Sequence, residues 1–237
     1  ETVDTLPLRG NCSLRFPVQW VNRPNLDFRG FSGTVEAGTA TVGQKIQVLP
    51  SGATASITDI VLFEDNLQSA EAGQAVTMTL DQEIDVSRGD VIVAADTPCE
   101  VSDQFEVKLV WMDQDPGYVG RKVWLKLCTT QVNAHITAIK YKININIFEH
   151  LSATKIQMND LAVVTVKTDR PVAFDHYRDC APMGAFIFIN QMTNRTEAAG
   201  MINFALRRAS NVHRQQLDID KAARHQLNGH SSRVLWF

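Results

Sequence analysis

Four groups of residues in this 237-residue chain have types and spacings that could do chemistry. Asp27-Phe28-Arg29-Gly30 fits DxxG, a segment that holds magnesium and a γ-phosphate in nucleotide switches. No GxxxxGK loop ending in Ser or Thr precedes it and no NKxD follows, so nothing would cradle the phosphates, and the match reads as coincidence. Asp113 and Asp115 are near enough for a carboxylate pair, but Pro116-Gly117 follow them and predict a solvated turn. His135 and His150 lie in or beside strand patterns and read as structural histidines. Cys12, Cys99, Cys128 and Cys180 are far apart, without CxxC or histidines at ligand spacing. They read as four reduced thiols of a cytoplasmic protein, not as disulfides or a zinc site. With no GxSxG turn for a nucleophile either, the chain reads as lacking a self-contained active site.

The elements that must position these residues are short and punctuated. Leu14, Phe16, Val18 and Trp20 alternate with Arg15, Pro17 and Gln19, the period of a half-buried strand, and Pro17 suggests a sheet edge. Similar runs cover 45–49, 75–80 and 90–94, separated by Gly38, Gly43, Gly52, Gly73 and Gly89. Many short strands between regular turns predict a small barrel or sandwich. After Pro98 the pattern restarts. Strands are predicted over 105–111, 123–127, 139–147, 161–166 and 185–189, with the alternation cleanest from Ile139 to Ile147.

Hydrophobic residues form 44% of the chain and charged residues 21%, as in ordered globular proteins. The net charge of −3 gives no general pull towards nucleic acid or anionic membrane. It hides an asymmetry, because residues 206–237 hold six Lys/Arg and two Asp/Glu and so carry +4, leaving −7 elsewhere. Glycine and proline also vanish between Gly200 and Gly229. A weakly amphipathic helix is predicted over 204–227, with Val212, Ile219, Ala223 and Leu227 on one face and Asn228-Gly229 as its stop. No run approaches a membrane span, and Glu1-Thr2-Val3-Asp4 lacks the basic opening of a signal peptide.

The order of motifs carries a resemblance. "LRFPVQWVNRPNLDFRGFSGTVEAGTATVGQKIQVLPSG", then "EAGQAVTMTL" and "DVSRGDVIVAAD", resemble domain II of translation-factor-type GTPases. They are most similar to the large, GTP-binding subunit of two-component bacterial ATP sulfurylase, with "FPVQWVNRPNLDFRG" the diagnostic part. Residues 100–205, ending in "GAFIFINQMTNRTEAAGMI", resemble the third domain of that subunit. "NVHRQQLDIDKAARHQLNGHSSRVLWF" is similar to the opening of adenylylsulfate kinase, whose "VLWF" strand leads into a phosphate loop.

The resemblance implies a mainly β chain. It would hold a domain II-like barrel over 1–99, a domain III-like barrel over 100–205, and a helical linker with the first strand of an α/β kinase over 206–237. It implies a central piece of a fused sulfate-activating protein, without the GTPase domain and most of the kinase. Leu235, Trp236 and Phe237 are then expected to be poorly ordered or to borrow cover. The implied chemistry is transfer of the adenylyl group of ATP to sulfate, driven by GTP hydrolysis, then phosphorylation of the product. GTP, ATP and magnesium would serve the whole protein and none would bind this piece, so no catalytic residue carries over.

The implied partners are the small catalytic subunit and the chain's own further domains, with no nucleic acid or membrane. Arg15, Gln19, Asn22, Arg23, Asn25, Asp27 and Arg29 are the interface candidates, since they gather charge and amide groups around a proline-containing turn. The same loop could equally be a hydrogen-bonded connection. Two other readings remain: domains II and III of a tRNA-binding GTPase, against which −7 over residues 1–205 argues, and a free-standing interaction module.

Overall fold

The computed structural model describes residues 12–23, 28–63, 65–144 and 149–206. The predicted helix beyond Leu206 and the terminal "VLWF" lie outside the described residues. In the first half run β1 (Arg15–Asn22), β2 (Gly30–Thr34), β3 (Thr39–Thr41), β4 (Lys45–Leu49) and β5 (Ala53–Leu62). They are followed by β6 (Asp65–Leu67), β7 (Ser69–Glu71), β8 (Ala75–Leu80) and β9 (Val91–Ala94). The order β4-β9-β1-β2-β8-β5 closes through a β4–β5 pairing into a six-stranded barrel; β6 hangs on β5, and β3 with β7 forms a separate ribbon. Inside, Phe16, Phe31, Ile46, Ile57, Met78 and Ile92 are fully buried.

The second half holds β10 (Glu100–Trp111), β11 (Gly117–Tyr118), β12 (Lys122–Leu127), β13 (Thr130–Ile143) and β14 (His150–Leu151). Then come β15 (Lys155–Ile156), β16 (Leu161–Phe174), a single helical turn α1 (Ala181–Gly184), β17 (Ala185–Ile189) and β18 (Thr196–Ala205). Here β12-β17-β18-β10-β16-β13 closes through β12–β13 into a second six-stranded barrel around Phe105, Leu109, Trp111, Leu125, Phe174 and Phe188. Closure removes the free edges of both sheets. Among the described residues no helix is long and apolar enough to cross a membrane.

Four expectations need correction. Pro17 is not on an edge: β1 pairs with β9 over Arg15–Pro17 and with β2 beyond Val18, so the proline sits where the strand changes partner. Its missing N–H is tolerated there because of an adjacent register shift. Phe204 ends a strand and does not begin a helix. The clean alternation from Ile139 belongs to a strand that starts at Thr130 and ends at Ile143, with residues 145–148 outside the described residues. Asp113 is buried, and its Oδ1 accepts from the Asp115 N–H and lies 3.4 Å from Arg195; only Asp115 is the solvated carboxylate.

The two barrels share a seam in one compact unit. Leu49, Val91 and Val93 of the first meet Ala173, Cys180 and Met183 of the second. Thr130 Oγ1 donates to the Gly89 carbonyl, and Gly89 has φ +99° with a would-be Cβ 3.3 Å from that same hydroxyl. Conformation and space both call for glycine there. Cys99 and Cys180 are buried in the seam, and Cys12 and Cys128 pack against it. All four are free thiols. Burial pushes Cys99, Cys128 and Cys180 up to about 12. Since the thiolate is the reactive form, these three should resist alkylation by iodoacetamide at pH 8 in the native protein. Thiol titration with and without denaturant checks this: four groups should react in the denatured chain and no more than one in the native chain.

Candidate functional site

The exterior of the first barrel is shaped by one extra residue. Val18 pairs with Gly33 and Trp20 with Ser32, so Gln19 is extra in β1 and the strand bulges. A bulge flips the side-chain phase beyond it. Trp20, in line with Leu14, Phe16 and Val18 by alternation alone, is therefore 65% exposed, while Val21 packs on the core. Past the bulge, register aligns Trp20, Ser32, Thr77 and Val61 across four strands. The next row is Asn22, Gly30, Thr79 and Asp59. Hydroxyls tie this face together: Ser32 to Thr77 at 2.8 Å, Thr58 to Thr79 at 2.6 Å, and Thr79 to Asp59 at 3.0 Å. At Gly30 a Cβ would fall 2.5 Å from Thr77 and 2.8 Å from the Phe28 ring, so glycine lets that ring lie on the sheet. Phe63, at the β5–β6 turn, is 94% exposed with φ +56°, a backbone conformation uncommon for a bulky residue.

Arg29 opens a 310 Å³ cleft beside this face, with Phe28, Asp59, Thr79 and Glu83 among its walls. Its guanidinium lies 5.4 Å from the Phe31 ring centroid and 3.7 Å from the exposed Asp85 carboxylate. Arg29 Nε is buried without a hydrogen-bond partner. Such a donor is costly to leave unmade and can accept a partner group. The face can thus bind by stacking and hydrogen bonding. Among the described residues no cluster of His, Cys, Asp and Glu could hold a metal ion.

The seven interface candidates separate. Gln19, Asn22 and Arg23 are exposed around the bulge, and Arg29 lines the cleft. Asn25 and Asp27 lie outside the described residues. Arg15 belongs elsewhere: it is 7% exposed, and Nε and Nη2 donate to the two Asp175 carboxylate oxygens at 2.6 and 3.1 Å. Nη1 donates to the Leu14 and Thr97 carbonyls. Burial alone would lower this guanidinium's pKa, but the hydrogen bond and charge of Asp175 outweigh it and the pKa rises. Arg15 therefore joins the barrels. His135 is half-buried on the outside of the second barrel, and exposed His150 stacks on Tyr141 at 3.8 Å.

Alternation along the sequence cannot see the bulge that exposes Trp20, nor the turn after β5 that exposes Phe63. Asp175 is 160 positions from Arg15, and no local pattern signals such a pairing.

The fold defines a class first. Residues 104–203 match the family described as GTP-eEF1A C-terminal domain-like. Crystal structures of Sup35, complexed with GDP and with GMPPNP, align with TM-scores of 0.75 and 0.72 at 18% and 16% identity. Each alignment covers 83% of this chain and 48% of the Sup35 chain, and the likeness is one of fold: the paired barrels of translation-factor GTPases.

Relatives by sequence narrow the class. The bifunctional enzyme NodQ of Rhizobium sp. (strain BR816) is 41% identical over 237 residues, 100% of this chain and 37% of that protein. The bifunctional enzyme CysN/CysC of Xylella fastidiosa (strain Temecula1 / ATCC 700964) is 44% identical over 221 residues, 93% of this chain and 36% of that protein. Sulfate adenylyltransferase subunit 1 of Aliivibrio fischeri (strain MJ11) is 45% identical over 202 residues, 85% of this chain and 42% of that protein. The chain is a homologue of sulfate adenylyltransferase subunit 1 and of the bifunctional NodQ and CysN/CysC enzymes. It spans well under half the length of these relatives.

Proposed function

We propose that this chain is the double-barrel region of a cytoplasmic sulfate-activating enzyme. The whole protein forms adenosine phosphosulfate and pyrophosphate from ATP and sulfate, with GTP hydrolysis driving the step, and a fused kinase phosphorylates the product. The barrels act as scaffold: they hold the GTPase domain and present a face to the small catalytic subunit. The observation that carries this reading is the 45% identity to sulfate adenylyltransferase subunit 1 over 202 residues. GTP, ATP and magnesium act in other parts of the protein.

The partner-facing surface is the one around Trp20, Asn22, Arg23 and Arg29. A large exposed aromatic beside arginines has the composition of binding hot spots, whose truncation costs about 2 kcal/mol or more, roughly thirtyfold in Kd. The test uses the full-length protein with its small subunit. Trp20→Ala and Arg29→Ala are each expected to weaken subunit binding by about that factor, and Arg23→Ala by less, because it is a rim charge. GTP-stimulated adenylation falls in parallel when subunits are limiting. Unchanged affinity and unchanged stimulation in all three variants would remove the surface from the interface. Absence of any sulfate-dependent adenylation in the full complex would remove the functional reading itself.

A further inference from the structure

We infer that a cleft on the outside of the second barrel binds a small oxyanion of the phosphate type. Register places Lys122 of β12 opposite His135 of β13, and His135 opposite Lys167 of β16. Three basic side chains thus stand in one cross-strand row, and all three line a cleft of about 550 Å³. Neighbouring strands are about 4.8 Å apart, so the two lysine backbones are about 10 Å apart with the imidazole between them. Their flexible four-carbon stems let both ammonium groups close on one ligand above His135.

The row sets no opposite charges against one another, so cross-strand ion pairing does not explain it. Two other lysines of the same barrel have carboxylate partners: Lys140 pairs with Glu106, and Lys142 lies 2.8 Å from Asp160. Among the described residues no hydrogen bond or ion pair engages the side chains of Lys122, His135 or Lys167.

Carboxylates are near, yet one is engaged by an amide chain and not by the row. Gln191 Nε2 donates to Asn133 Oδ1 at 2.9 Å, and Asn133 Nδ2 donates to Asp169 Oδ2 at 2.8 Å. This relay engages one Asp169 carboxylate oxygen without using the basic row. Asp103 borders the cleft as well. Two carboxylates beside three basic groups disfavour an extended polyanion such as a nucleic-acid backbone and favour a compact ion that sits on the row alone. This inference does not depend on the proposed sulfate-activating role.

Calorimetric titration of the 237-residue chain with inorganic phosphate, with sodium chloride holding ionic strength constant, tests it. One saturable site is expected, together with a shift of the His135 ring signals in proton–nitrogen spectra. Charge-assisted hydrogen bonds are strong enough that Lys122→Gln with Lys167→Gln should weaken phosphate binding about tenfold or more. Asp103→Asn should strengthen it, because a repelling charge is removed. Thermal melts of the variants should match the parent, since all three sites are on the barrel exterior. Absence of saturable binding, or equal affinity in the double lysine variant, overturns the proposal. Tighter binding of a ten-nucleotide single-stranded RNA than of phosphate through the same lysines would overturn the small-ligand assignment.

Discussion

Replacing Arg15 with alanine should lower the unfolding free energy of the double barrel by about 3–5 kcal/mol, the range for breaking one side of a buried ion pair. The side chains of Arg15 and Asp175 are 8% and 14% exposed, so neither charge has water to fall back on. Deleting the guanidinium strands the carboxylate together with the Leu14 and Thr97 carbonyls that it also serves. Asp175→Ala should cost a similar amount, and the double variant less than the sum, because the second deletion removes a charge already stranded. The raised arginine pKa means that Arg15 stays charged throughout the neutral range and discharges only as pH climbs through the arginine range. Urea titration at pH 7 therefore reads the full effect. Since the pair spans the seam, calorimetry of Arg15→Ala should also show the single transition split into two, one for each barrel. A loss below about 1 kcal/mol would mean that the apolar seam holds the barrels together without the pair.

Arg15 also shows where sequence reasoning stops. Charge and amide groups crowd the segment that holds Arg15, Gln19, Asn22, Arg23, Asn25, Asp27 and Arg29, and proximity along the chain is all that grouping them contains. Along a strand, adjacent residues face opposite ways, and β1 additionally changes partner at Pro17 and bulges at Gln19. The segment consequently sends Arg15 into the seam, Phe16 and Val18 into the core, and Trp20 into solvent.

Strands were legible wherever the barrel wall has core on one side and water on the other. The run 185–189 coincides with β17, and 45–49 with β4. The long strands were only partly legible. Ala162 to Val166 in β16 are buried on both faces, and β13 carries register shifts at 136/138 and 139/141, so the period of two fails in each. The four cysteines, read correctly as unpaired, gave no hint of gathering at one seam, because positions 12, 99, 128 and 180 meet only once both barrels have closed.

Glu197→Ala should be comparably destabilising, about 3–5 kcal/mol, and confined to the second barrel. The Glu197 side chain is fully buried between β18 and the turns beside it. Its carboxylate accepts from Arg121 Nε at 2.9 Å, from Arg121 Nη2, and from Asn190 Nδ2 at 2.7 Å. Arg121 also donates to the Pro116 carbonyl, and its guanidinium lies 5.4 Å from the Trp111 ring and 5.7 Å from Tyr118. Removing the carboxylate leaves that cation over the buried indole with one carbonyl for company. The hydrogen bond that Arg121 donates to Glu197 is the main reason that its pKa is raised, and the variant loses that support while the burial that opposes the charge remains. Glu197→Gln keeps the shape and the Asn190 contact and should lose less, whereas Arg121→Met with Glu197→Leu should recover part of the loss by replacing the pair with packing. With Trp20, Trp124 and Trp236 replaced by phenylalanine in both proteins, Trp111 fluorescence during urea unfolding reports this barrel, and a Glu197→Ala midpoint within error of that background would refute the argument. Because Trp20 and Arg29 belong to the other barrel, Glu197→Ala at a temperature where it remains folded should leave small-subunit affinity unchanged. That outcome would separate the element that keeps the second barrel closed from the surface proposed to meet a partner.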